Sequence, residues 1–172
     1  PSETPAVTEF PVSTMASVEL PGATELSDFA IGSTSVSEKD DMVLVYVPAG
    51  DFTMGGDDGR EDEKPQHRVY LDAFWIDQTE VTNAMYAKCV QAEVCELPTD
   101  TNYYNNLSYA DHPVVFVTWG MANAYCAWAE RKLPLEAEWE KAARGTDART
   151  YPWGEGIDCS KANYNDSCAG GT

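Results

Sequence analysis

Five cysteines and two histidines are the residues of this chain best suited to redox or metal chemistry. The cysteines are Cys89, Cys95, Cys126, Cys159 and Cys168; the histidines are His67 and His112. No two cysteines have C-x-x-C spacing. A structural zinc needs four closely placed ligands, so the pattern argues against zinc. Cys89 and Cys95 are close in sequence, as are Cys159 and Cys168, and each pair could close a short local loop. Cys126 lies between Tyr125 and Ala127 in an apolar stretch with helical spacing. These positions read as two disulfides and one buried thiol, hence an oxidising, extracytoplasmic compartment. Five reduced thiols in a cytosol is the alternative. His67 falls in an extended stretch, where a lone histidine is more often structural than a general base, and His112 precedes Pro113 in a loop. No Ser-His-Asp order, P-loop or glycine-rich dinucleotide motif is present. The acidic run Asp57–Glu63 lacks the Asp-x-Asp-x-Asp-Gly spacing of a calcium loop and reads as a solvated loop.

These residues must be positioned by a chain of 172 residues, enough for one domain and a tail. Hydrophobic residues make up 43% of it, so a core can be buried. No apolar run reaches the roughly 20 residues that span a bilayer, so membrane insertion is not expected. A net charge of −18, from 29 acidic and 11 basic residues, argues against nucleic acid and against anionic membrane surfaces.

Residues 1–30 carry Pro1, Pro5, Pro11 and Pro21 among Ser, Thr and Glu, with no Lys or Arg. Such a segment buries too little apolar surface to offset its ordering entropy and reads as a disordered linker, suited to joining an N-terminal fused domain. The domain proper is expected over residues 31–172. Met42–Val47 and Asp51–Met54 read as short strands, followed by an extended stretch from His67 to Ile76. Thr82 is placed to cap a helix running to about Val90, and Thr118 to cap a second helix with Trp119, Ala122, Cys126 and Ala129 on one face. A third helix is expected from Glu136 to Arg144, ended by Gly145. Pro113–Val117 reads as a buried strand from its β-branched content. Trp119, Trp128, Trp139 and Trp153 read as core and motif residues. The sum is an irregular α+β domain.

One stretch goes further. Residues 131–145, Arg-Lys-Leu-Pro-Leu-Glu-Ala-Glu-Trp-Glu-Lys-Ala-Ala-Arg-Gly, continue to Tyr151-Pro152-Trp153-Gly154. They resemble the RLPTEAEWEKAARG…YPWG signature of the formylglycine-generating enzymes, or sulfatase-modifying factors. Other blocks resemble the same family in the same order: residues 47–55, 63–69, 74–83, 112–119 and 125–128. The resemblance implies a C-type-lectin-like fold. It also implies that the chain carries the N-terminal portion of the domain, truncated before the paired active-site cysteines of the family's enzymes, so that none of its five cysteines is catalytic.

Two departures from the signature are local. Leu135 stands where the family has threonine, and cannot accept the capping hydrogen bond that a threonine would. Lys132 stands where the family has arginine, so a bidentate salt bridge there is expected to be lost. The resemblance further implies a structural calcium, with Asn163, the carbonyl of Tyr164 and nearby Asp166 as ligands; an ordinary Asn-rich turn is the alternative. In an intact enzyme of this kind, copper(I) and oxygen would convert a cysteine of a partner sulfatase, or of another protein substrate, to formylglycine. The copper ligands would lie outside this chain. The alternative function is a non-catalytic binding or sensor module of a bacterial protein, extracytoplasmic and tethered by the linker.

Overall fold

The computed structural model describes residues 29–57 and 60–162. Its first sheet is antiparallel, with strand order β1-β2-β5: β1 (Thr34–Val36), β2 (Val43–Val47) and β5 (Phe74–Asp77). A separate hairpin pairs β3 (Gly50–Met54) with β4 (His67–Leu71). Three helices follow, α1 (Asn83–Gln91), α2 (Trp119–Trp128) and α3 (Glu136–Arg144). This is the α+β class the sequence implies.

The strands are rich in β-branched and aromatic residues, which fit a pleated, half-buried surface. In β2, Tyr46 is buried opposite Trp75 of β5. Phe29 packs on both rings, at centroid distances of 5.6 and 5.1 Å. Phe29 and Ala30 therefore belong to the fold, where the composition of residues 1–30 had suggested linker; the rest of that segment, residues 1–28, lies outside the described residues. Strand β1 was not expected, because Thr34-Ser35-Val36 is short, polar and exposed; its pairing to β2 makes it a strand.

Helices α1 and α2 start as their threonines dictate. Thr82 Oγ1 accepts from the Met85 amide at 3.2 Å, and Thr118 Oγ1 from the Met121 amide at 3.3 Å. Between them lies the main core, in which the Tyr86 and Tyr125 rings stack at 5.5 Å around Cys89, Cys95, Cys126 and Ala129.

Helix α3 is held differently, by charged side chains gripping backbone. Buried Lys141 donates to the carbonyls of Pro48 and Gly50, both at 2.9 Å. Burial lowers its pKa, against the pull of Asp51. Glu140 accepts from the Gly55 amide at 2.8 Å, and Arg144 donates to the Gly55 carbonyl at 2.7 Å. Gly55 has φ +79°, and a Cβ there would collide with the Glu63 carbonyl, so the turn after β3 can pack against the loop before β4 only as glycine. At the other end, Gly145 closes α3 with φ 72°.

Two expectations fail. Pro113–Val117 is neither strand nor buried: only Pro113 makes a bridge, to Thr82, and Val115 and Phe116 are exposed. The cause is Phe116, whose φ of 60° breaks the extended path. Its carbonyl is held by the amide and the hydroxyl of Thr99, both at 2.9 Å. Trp119, Trp139 and Trp153 are exposed, not core. Trp119 and Trp139 sit on α2 and α3 turned away from the packed faces, and among the four only Trp128 packs against the main core.

Candidate functional site

Two cavities adjoin the segment between β5 and α1. The larger, about 670 Å³, lies between β5 and residues 126–139. Beneath it is an ion network that the sequence motifs did not reveal. Asp40, in the turn between β1 and β2, is fully buried. It accepts from Arg131 Nη1 at 3.2 Å, from Arg131 Nη2, and from the Tyr125 hydroxyl. Burial pushes the Asp40 carboxyl up, but the hydrogen bonds from Arg131, Ser37 and Tyr125 and the charge of Arg131 outweigh it and hold the group well below the usual carboxylate range. The Tyr125 hydroxyl is pushed far above its ordinary value, by burial first and then by its bond to Asp40.

Asp77, at the end of β5, completes the network. Its Oδ1 lies 2.9 Å from Arg131 Nε. The angle is poor for a hydrogen bond, and Nε has no such partner, so this contact is an ion pair only. Burial raises the Asp77 pKa, with Arg131 opposing and Asp40 reinforcing. The bidentate arginine of this region is therefore Arg131. Its neighbour Lys132 makes a single 2.8 Å contact to Glu138, as a point charge must.

Glu138 also accepts from the Leu135 amide at 2.8 Å, which is half of a capping box. Leucine has no side-chain acceptor, so the other half is missing, and Leu135 is 59% exposed. Burial would raise the Glu138 pKa, but the bonds from Lys132 and the Leu135 amide lower it.

The smaller cavity, about 450 Å³, lies between the start of α1 and the loop carrying Tyr103, Tyr109 and Phe116. At its edge Asn83 is 3% exposed. Its Nδ2 donates to the carbonyls of Tyr109 at 2.8 Å and His112 at 3.3 Å, while Oδ1 has no partner among the described groups. An unpaired buried acceptor costs about 1–3 kcal/mol. His67 is exposed at the start of β4, with Nδ1 2.8 Å from the Pro65 carbonyl, a local contact. In the acidic loop, Glu61 pairs with Lys64 and Asp62 with Arg60 on the surface.

The sulfur atoms are closed off. Cys89 and Cys95 form a disulfide with Cα atoms 5.3 Å apart, buried in the main core. Cys126 is a free, buried thiol whose pKa is raised by burial and then by Asp77. Cys159 is also disulfide-bonded; Cys168, its expected partner, lies outside the described residues. So do Asn163, Tyr164 and Asp166, the expected calcium ligands. Copper(I) binding needs accessible thiolates. One buried thiol with a raised pKa beside disulfides does not fit that ion, and among the described residues no cluster of three His, Cys, Asp or Glu side chains is placed to hold a metal.

The small sheet, the hairpin clamped to α3 and the residue blocks that bind them define a formylglycine-generating-enzyme-like α+β domain. The family model for the sulfatase-modifying factor enzyme 1-like domain matches residues 29–170, and the chain belongs to that family. It is 36% identical over 141 residues to the serine/threonine-protein kinase Pkn1 of Chlamydia trachomatis, covering 70% of this chain and 22% of the kinase. It is 33% identical over 167 residues to the formylglycine-generating enzyme of Bos taurus, covering 70% of this chain and 45% of the enzyme. The chain thus spans less than half the length of these relatives. Among solved structures, PvdO from Pseudomonas aeruginosa is similar over 76% of this chain and 57% of its own, with a TM-score of 0.62 and 27% identity.

Proposed function

We propose that this chain is the scaffold and recognition part of a sulfatase-modifying-factor domain, placed outside the cytoplasm and tethered to other domains of its protein. The observation that carries this reading is the state of the sulfur: two cysteines in one disulfide, a third also oxidised, and a fourth buried with its thiol disfavoured as thiolate. Such groups hold a fold together and do not attack a substrate. The disulfide also supports an oxidising compartment. Similarity to a protein named as a kinase supports fusion to unrelated domains.

A second reading is favoured by the similarity to proteins named formylglycine-generating enzyme. In it, the whole protein oxidises a cysteine of a sulfatase or other protein to formylglycine, with oxygen and copper(I) supplied by groups outside the described residues. A structural calcium at Asn163, Tyr164 and Asp166 is compatible with both readings; calorimetric titration with calcium tests it, and absence of heat removes it.

The two readings separate in one assay. The full-length protein is incubated with copper(I), oxygen and a sulfatase-derived cysteine peptide, and the peptide is weighed by mass spectrometry. Unchanged cysteine is the result expected here. Conversion to the aldehyde would replace the recognition reading with the oxidase.

A further inference from the structure

The smaller cavity is unlike the larger one in its chemistry. Its walls are aromatic. Tyr103 meets Tyr109 edge to face, at 5.1 Å and 80°, and stacks on Phe116 at 6.3 Å. Tyr109 meets the His112 ring edge to face at 5.0 Å. The two tyrosine rings thus form a near-right-angled corner. Tyr103 and Phe116 are both exposed at the cavity mouth.

The polar side chains beside these rings are those of Glu80, Asn83 and His112. Glu80 lines the cavity and is exposed, and no Lys or Arg is among the described residues lining it. Asn83, behind the rings, spends both amide hydrogens on backbone carbonyls and keeps a carbonyl oxygen without a partner. Ring faces are electron-rich and attract cations, most strongly where water is displaced. A site of aromatic rings with an exposed carboxylate at its wall, and no Lys or Arg, favours a cationic ligand over an anion. The net charge of −18 adds a long-range pull in the same direction.

The backbone reinforces the corner. Phe116 sits at φ 60°, a conformation that L residues other than Asn and Asp rarely adopt. Two hydrogen bonds from Thr99 to the Phe116 carbonyl hold it there. That conformation keeps the Phe116 ring beside Tyr103 at the mouth instead of carrying it into an extended strand. A cavity of about 450 Å³ is within the usual range for small-ligand sites.

We propose that this cavity binds an alkylammonium group, with the Tyr103–Tyr109 corner and Phe116 around the cation and Glu80 as its counter-charge. The same group can arrive as a free small cation or as a lysyl side chain of a polypeptide. The site is separate from the proposed scaffold role of the disulfides and does not depend on it.

The test uses the full chain and NMR titration of the Tyr103 and Tyr109 rings and the Val115 methyls. The probes are choline, its uncharged carbon isostere dimethylbutanol, and an amide-capped lysine with and without trimethylation. Choline or a lysine derivative is expected to shift these resonances saturably at millimolar concentration. The uncharged isostere is expected to bind roughly ten-fold more weakly. Tighter binding of the lysine derivatives assigns the site to a polypeptide, and tighter binding of choline assigns it to a free cation. Glu80→Gln is isosteric and exposed, and is expected to weaken the cation several-fold while leaving the isostere unchanged. Tyr103→Ala is expected to abolish saturation, with Tyr86 and Tyr125 core resonances unmoved as the check on folding. Equal binding of choline and its isostere, or no saturable shift at Tyr103 and Tyr109, overturns the proposal.

Discussion

The sulfur-bearing core and the aromatic loop surface of this domain are opposites. In the core, Cys89, Cys95 and Cys126 are packed among Tyr86, Tyr125 and Ala129, and the neighbouring Asp40 is bonded to Tyr125 and Arg131. On the loop side, Tyr103, Leu107, Phe116 and Trp119 stand open to solvent, and no cysteine or methionine is among the described residues lining the cavity beside Tyr103 and Phe116. The difference separates chemistry from recognition. A thiol buried beside an aspartate is disfavoured as thiolate, so the core is built for stability. Exposed aromatic faces add little to stability and are the usual material of binding surfaces.

The largest expected effect is in the core. Asp40→Asn leaves buried Arg131 without its main counter-charge, and breaking a buried pair in this way costs about 3–5 kcal/mol. Chemical denaturation measures it directly. The same carboxylate sets the acid limit. Its folded pKa lies below its unfolded value, so its contribution is fully present above that unfolded value, near 4, and is lost as pH falls towards the folded one. Asp77 opposes this, because its raised pKa means that protonation favours the fold. At the alkaline end, Tyr125 contributes stability that is fully present below about pH 10 and is lost as pH rises through its raised folded pKa. Asp40→Asn is expected to flatten the acid limb, and Tyr125→Phe the alkaline one.

Next in size is the Cys89–Cys95 disulfide, which closes a short loop. Replacing both with serine, read as a fall in melting temperature, is expected to cost about 2 kcal/mol through unfolded-state entropy. A smaller effect has the opposite sign. Leu135→Thr supplies the missing half of the capping box while removing an exposed leucine, and is expected to stabilise by about 1 kcal/mol. A fall in melting temperature would mean that Leu135 packs on a neighbour. Smallest is Trp119→Ser, expected to change stability by no more than about 0.5 kcal/mol because the side chain is 73% exposed. A loss comparable with that of Asp40→Asn would erase the contrast between core and surface.

The sequence was legible where local chemistry decides structure. Thr82, Thr118 and Gly145 mark helix ends because a cap needs one hydroxyl and a left-handed turn needs one glycine. It misled at Pro113–Val117, where β-branched content says strand. The left-handed Phe116 held by distant Thr99 decides otherwise, and no short-range pattern contains that contact. The Asp40–Arg131–Tyr125 network joins residues about 90 positions apart, so spacing could not show it. Arg131 stands inside the signature block, but its partners Asp40 and Asp77 lie far outside it. The exposed aromatic corner was equally invisible, because Tyr103 and Tyr109 lie in a loop with no periodicity to reveal a shared face.

The described cysteines are structural. This is tested most directly by alkylating the native, unreduced protein and mapping its peptides. Cys89 and Cys95 are expected to be recovered as one linked peptide, and Cys126 to be unlabelled until the protein is denatured. Rapid native labelling of Cys126, or of Cys89 and Cys95 singly, would contradict it and return these thiols to the list of reactive groups.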